Sequence, residues 1–184
     1  MSRIDPALPP YSESIQTYLD KLMPQGMEPL YLFRVLARDE RLFTRFMSAG
    51  LLDRGHLSLR ERELVILRVC ANEHSEYEWG VHVTQFAKRA GLSPEQCAAT
   101  CSAERELACW SERDRWLLAM CDELSVGTKL SDALWHDLSQ AFSDEARLEL
   151  LLLAGFYRLT SVLTNTLQLP LEPFAARFPT LAAG

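Results

Sequence analysis

Two acids and a histidine stand at a spacing that suits proton transfer. Glu78 and His82 are four residues apart in EYEWGVH, and Glu63 lies upstream in RERELVIL. On a helix, residues four apart share a face, so Glu78 and His82 can meet. Histidine exchanges a proton near neutral pH, and a neighbouring carboxylate biases which form it holds. Two carboxylates in a poorly hydrated cleft cannot both ionise cheaply, so one is expected to be kept protonated. Brought together, the three groups would form an acid–base site.

Each residue also has a plainer reading. Glu78 falls three positions after Ser75, where a capping-box acid sits. Glu63 reads as a solvated charge in an RERE run, and one histidine on a helix face is usually structural. Convergence of all three is what distinguishes a site from three ordinary residues.

That convergence requires a helical hairpin. Ser58 with Glu61, Ser75 with Glu78, Ser93 with Gln96, and Ser111 with Asp114 have the spacing of capping boxes, with Pro94 at a first helical position. One helix is expected through LRERELVILRVCA, a turn near His74, and a second helix through EYEWGVHVTQFAKRA ending at Gly91. With about 1.5 Å of rise per residue, Glu63 and His82 differ in height by only ~4–5 Å when the helices run antiparallel.

The rest of the chain reads as all-α. Strand-like alternation is absent, and apolar residues recur at helical spacing in SESIQTYLDKLM, PLYLFRVLA and DERLFTRFMSA. Gly127 is a stop after CDELSV, while Ser131 and Ser143 open the last two helices, the second running to Pro170. Three segments are expected: an N-terminal arm and first helix over 1–26, a helical domain over 27–175, and a C-terminal tail over 176–184. The proline-marked stretch LPLEPFAARFPTLAAG is expected to be extended and able to pack on a neighbour.

Composition limits the function classes. A net charge of −6 and no basic run argue against nucleic-acid binding. The apolar run LLLLAGFY is far short of the roughly 20 residues of a membrane helix. MSRIDPALPPYSES has no apolar core of a signal peptide, so a cytoplasmic protein is expected. The five cysteines read as free thiols: Cys70, Cys109 and Cys121 lie on apolar stripes, and Cys97 and Cys101 lack the C-x-x-C spacing of a redox pair. The stripe His74, Glu78, His82 matches neither H-E-x-x-H nor E-x-x-H, so no metal is expected.

Further residues could line a site. Arg62 or Arg68 could hold a substrate carboxylate, although both also read as surface ion-pair residues. Tyr77 and Trp79 suit a pocket wall or the core, and a buried Tyr157 would need a partner such as Asn165 or a site residue. With 48% hydrophobic residues, and helices apolar on more than one side, a homo-oligomer is expected.

The span LSLRERELVILRVCANEHSEYEWGVHVTQFAKRAGLSPEQ resembles the carboxymuconolactone decarboxylase family, whose superfamily also contains the alkylhydroperoxidase D-like proteins. GFYRLTSVLTNTLQLPLEP resembles the C-terminal helix of its longer members, and the likeness covers roughly residues 27–175. The resemblance implies an alkylhydroperoxidase D-like helical bundle that assembles as a dimer, trimer or hexamer. The redox branch carries a glutamate, a C-x-x-C and a histidine four residues later. Glu63 and His82 match the first and last, but Ser75 and Glu78 occupy the cysteine positions. Serine cannot form a disulfide and a carboxylate cannot attack a peroxide as a thiolate does, which disfavours peroxide reduction.

The decarboxylase branch shows E-W-x-x-H here, as do Glu78, Trp79 and His82. That likeness implies cofactor-free decarboxylation or related proton transfer on a small carboxylated or carbonyl compound. His82 would be the proton donor or relay, Glu78 its partner or the neutral acid, and Glu63 the residue that orients it. A fold kept only for small-molecule binding or assembly is the remaining alternative.

Overall fold

The computed structural model describes residues 2–23, 26–102 and 108–180, and these contain helices and no strand. In chain order the helices are α1 (Glu13–Leu22), α2 (Tyr31–Leu36), α3 (Glu40–Ser48), α4 (Leu59–Asn72), α5 (Glu76–His82), α6 (Pro94–Ala99), α7 (Glu112–Val126), α8 (Asp132–Ala141) and α9 (Asp144–Thr166). Helix α5 does not continue as an α-helix to Gly91, as its sequence pattern suggests. It passes into a π-helical turn over Val83–Ala87.

Helix α4 is the centre of the fold, packed by α5, α7 and α9. Every residue from Glu63 to Cys70 is buried, so α4 is enclosed on all sides rather than amphipathic. Leu64, Val65, Ile66 and Leu67 meet Leu117 and Leu118 of α7 and Leu150 and Leu153 of α9 in the main core. A helix enclosed in this way can carry a charged residue only if another group answers it. Glu63 and Arg68 are the two such residues, and each fixes the position of a second element.

Three of the four capping boxes form. Ser58 with Glu61, Ser93 with Gln96, and Ser111 with Asp114 exchange both hydrogen bonds. Ser131 and Ser143 cap α8 and α9. The Ser75 box does not form. Ser75 is fully buried, and its hydroxyl lies 2.8 Å from Thr164 Oγ1 on α9. Its carboxylate partner Glu78 is thereby released from the helix end and turns inward.

The described part of the C-terminal tail packs on α5 of its own chain. Ala176 N donates to Gly80 O at 3.2 Å, Phe178 N donates to Glu76 Oε1 at 3.0 Å, and the Phe178 ring lies 5.2 Å from that of Trp79. Gly80 makes this approach possible, because a Cβ there would lie 2.2 Å from Ala176 O. The tail and α9 therefore hold α5 from two directions. On α9, Leu148, Leu152, Leu159 and Val162 remain exposed along one stripe. No described helix is long and apolar enough to cross a membrane.

Candidate active site

Helices α4 and α5 bring Glu63, Glu78 and His82 together. His82 Nδ1 lies 2.7 Å from Glu63 Oε2, and Nε2 lies 3.4 Å from Glu78 Oε1. Helix α9 adds Tyr157, whose hydroxyl is 3.1 Å from His82 Nε2 and whose ring meets the imidazole edge-on. Both ring nitrogens of His82 are therefore engaged, one on each side. Arg62 Nε reaches Glu63 Oε1 at 3.3 Å, while its Nη1 donates to the carbonyls of Leu52 and Asp53.

Burial alone would favour a neutral His82. The hydrogen bonds and negative charges of Glu63 and Glu78 outweigh it and raise the pKa to about 9. At neutral pH the residue is an imidazolium that donates from both nitrogens. The imidazole stands between the two acids and gives each of them a partner. Burial, followed by the charges of Glu78 and Glu63, pushes the Tyr157 phenol well above its ordinary value. Tyr157 is thus a neutral O–H whose oxygen can accept from His82 Nε2–H while its own proton stays available.

A cavity of about 360 Å³ opens over Glu78, His82 and Tyr157, within the size range of small-molecule sites. Its walls are mostly apolar, including Leu32, Phe33, Phe46, Met47, Leu51 and Phe86. The three polar groups at its floor are buried, whereas the lining residues Ser48, Asp53 and Gln85 are exposed where it meets solvent. Glu78 Oε2 is buried with no hydrogen-bond partner among the described residues. A buried carboxylate oxygen left in this state costs free energy unless something that enters the cavity uses it.

Other candidates have structural work elsewhere. Arg68 is not in the cavity; it grips Asp122 with Nε at 2.6 Å and Nη2 at 2.9 Å, and Nη1 donates to the carbonyls of Thr100 and Ser102. Tyr77 OH donates to Glu172 Oε1 at 2.5 Å and accepts from Leu32 N, tying α2 and the tail to α5. Trp79 Nε1 donates to Thr100 Oγ1 at 2.9 Å. Neither aromatic residue lines the cavity. Asn165 serves Glu73 O, leaving His82 as the partner of Tyr157. His74 is exposed in the turn with φ +54°, so it is not on the helical face of Glu78 and His82.

Several lining residues carried no signal in the sequence. Leu22 and Met23 at the end of α1, Leu30, Leu32 and Phe33 at the start of α2, Phe46 and Met47 in the last turn of α3, and Leu51 and Leu52 after it supply one wall, and only their apolar character marked them. Phe86 lies 5.0 Å from His82, ring to ring, within the π turn, and such turns recur at functional sites.

Residues 40–123 match the sequence profile of the carboxymuconolactone decarboxylase family. The same helical arrangement recurs in solved structures. An uncharacterized peroxidase-related protein from Silicibacter sp. TM1040 superposes with a TM-score of 0.78 at 19% identity, over 97% of this chain and 100% of that one. Over residues 40–123 the chain is similar to the carboxymuconolactone decarboxylase family, and its fold is shared with alkylhydroperoxidase D-like proteins. An alkylhydroperoxidase D core, an uncharacterized peroxidase-related protein from Ralstonia eutropha JMP134, gives 0.71 at 20% identity over 88% of this chain and 84% of that one. A protein of unknown function from Agrobacterium tumefaciens gives 0.59 at 21% identity, covering 70% and 84%. At these identities the likeness concerns the fold. No curated protein matches.

At the two positions that the sequence resemblance pairs with the redox branch's cysteines, Ser75 is bound to Thr164 and Glu78 to His82. All five cysteines are free, and Cys70, Cys97 and Cys121 are buried. Burial, with Glu78 close by, raises the Cys70 thiol well above its ordinary value, which opposes thiolate formation. No cysteine lines the cavity.

Proposed function

We propose that this chain is an acid–base enzyme that moves a proton on a small carboxylated or carbonyl compound bound in the cavity, without a cofactor. The observation that carries the reading is the unpartnered, buried Glu78 Oε2 beside an imidazolium that Glu63 holds from behind. Glu78 is the base, His82 sets and relays the proton, and Glu63 orients His82 and favours its charged form. A conjugated carbonyl in the bound compound accepts the electrons that proton or CO₂ loss leaves behind, so the reaction needs no further electron sink. Tyr157 replaces the arginines as the ligand-facing donor.

The solved relatives described as peroxidase-related favour a second reading, dithiol-dependent reduction of a hydroperoxide. Ser75 and Glu78 at the cysteine positions argue against it. A homo-oligomer that closes over the exposed α9 stripe is part of the main proposal; sedimentation as a lone protomer at micromolar concentration would remove that part.

The deciding experiment assays small lactones and ketones for CO₂ release and for deuterium exchange, and an organic hydroperoxide with a dithiol donor. Turnover on a carbon compound that falls at least ~10³-fold in His82→Ala, with native circular dichroism, supports the reading. Dithiol-dependent peroxide consumption that disappears when Cys70, Cys97 and Cys101 are replaced would overturn it.

A further inference from the structure

The cavity says more about its occupant than its acid–base groups do, because its charges are unevenly answered. His82 is held between Glu63 and Glu78, and Arg62 spends its donors on Glu63 and on the carbonyls of Leu52 and Asp53. The described lining residues include no lysine or arginine. The polar atom left without a hydrogen-bond partner on the cavity floor is a carboxylate oxygen, Glu78 Oε2. An anionic ligand would leave water for an apolar cavity and meet a bare carboxylate oxygen with no cation to spare, an unfavourable exchange.

The donors tell the same story. The oxygen of Tyr157 can accept the Nε2–H of the imidazolium, and its own proton then has no protein acceptor among the described residues. Tyr157 and Glu78 both lie against that one nitrogen, so a hydrogen-bond donor and a base sit side by side on the cavity floor. A carbonyl group with an adjacent C–H presents the complementary pair within one short stretch of the molecule. Its oxygen suits the phenol, and its C–H suits the carboxylate.

We infer that the site takes a neutral, largely apolar carbonyl compound and enolises it, with Glu78 as base and Tyr157 as donor to the oxygen. This rests on the acid–base reading above and replaces its carboxylated option with a neutral substrate. In the step, Glu78 Oε2 takes the proton from the carbon next to the carbonyl. The C–H electrons become the carbon–carbon double bond, and the carbonyl π electrons move to oxygen, which accepts the Tyr157 hydrogen bond. Return of the proton from Glu78 to the same carbon, or to a conjugated one, restores the carboxylate. The net result is exchange or isomerisation, with nothing oxidised or reduced and no co-reactant consumed. The imidazolium behind Tyr157 strengthens the donor as negative charge develops on the oxygen.

Two probes of one shape separate the charge preference. In calorimetric titration at neutral pH, cyclohexyl methyl ketone is expected to bind at least ~10-fold more tightly than cyclohexanecarboxylate, and Glu78→Gln to raise carboxylate affinity by about 10-fold. Equal or tighter binding of the carboxylate by the native protein overturns the neutral substrate and leaves the acid–base reading standing. Proton NMR in D₂O then follows the hydrogens beside the ketone carbonyl. Native protein is expected to exchange them at least ~10²-fold faster than buffer, with most of that lost in Glu78→Gln. Exchange undiminished in Glu78→Gln, or none above buffer, overturns the enolisation step. If exchange needs Glu78 but survives His82→Ala, the role given to His82 fails while the substrate class stands.

Discussion

Helix α4 buries two charged residues little more than a turn apart, and the protein treats them in opposite ways. Arg68 is answered completely: every guanidinium nitrogen donates, two of them to Asp122 and one to a pair of backbone carbonyls. Glu63 starts a chain that is answered at one end only. It binds His82, His82 reaches Glu78 and Tyr157, and the chain ends at a carboxylate oxygen with no partner and a phenol with a proton to offer. The first cluster closes on itself and joins α4 to α7 and the end of α6. The second opens into a cavity. Burial of charge therefore does not mark a site; a buried polar chain left incomplete at a cavity wall does.

That contrast can be broken from either side. Arg68→Ala leaves Asp122 without its guanidinium, and a loss of about 3 kcal/mol in unfolding free energy is expected, with turnover per folded molecule unchanged. Denaturant titration together with active-fraction kinetics checks both halves, and lost turnover in a fully folded variant would erase the distinction. Tyr157→Phe should do the reverse, lowering kcat/KM by about 10²-fold while the denaturation midpoint moves little. Unchanged kinetics would mean that the phenol only packs.

Glu63→Gln is the smaller and sharper test. The amide still fills the space beside His82 but removes one of the charges that raises the imidazole pKa. A fall of about 10-fold at neutral pH is expected. The native pH profile should decline as pH rises through about 9, where His82 loses its proton, and the variant should decline at lower pH. A profile whose basic limb stays in place would remove Glu63 from its positioning role.

Much of this arrangement was legible in the sequence, and the reasons are local. The hairpin was readable because Ser58, Ser93 and Ser111 carry capping partners three residues on, and because Glu63, Glu78 and His82 then fall at matching heights. Ser75 and Glu78 carry the same pattern and form no cap, because a buried Thr164 from a distant helix competes for the hydroxyl and His82 for the acid. Long-range partners of this kind leave no mark on short-range spacing. Arg62 and Arg68 illustrate the same limit. Both sit in one helical run, yet one lies beside the site and the other is bound to Asp122 on α7. The cavity wall from α1 to α3 was hidden for another reason: apolar residues look alike whether they face a core or a ligand.

The account stands on a buried imidazolium held between two carboxylates. Nitrogen-15 NMR of histidine-labelled protein, with His82→Gln used to assign the signal, measures it directly. Because the folded pKa lies above the ordinary 6.5, the stability His82 contributes should be present in full below that pH and lost as pH rises through about 9. The nitrogen shifts should follow the same course: a doubly protonated ring at neutral pH that titrates near 9. A neutral ring at pH 7, with a midpoint at or below 6.5, would contradict the central claim.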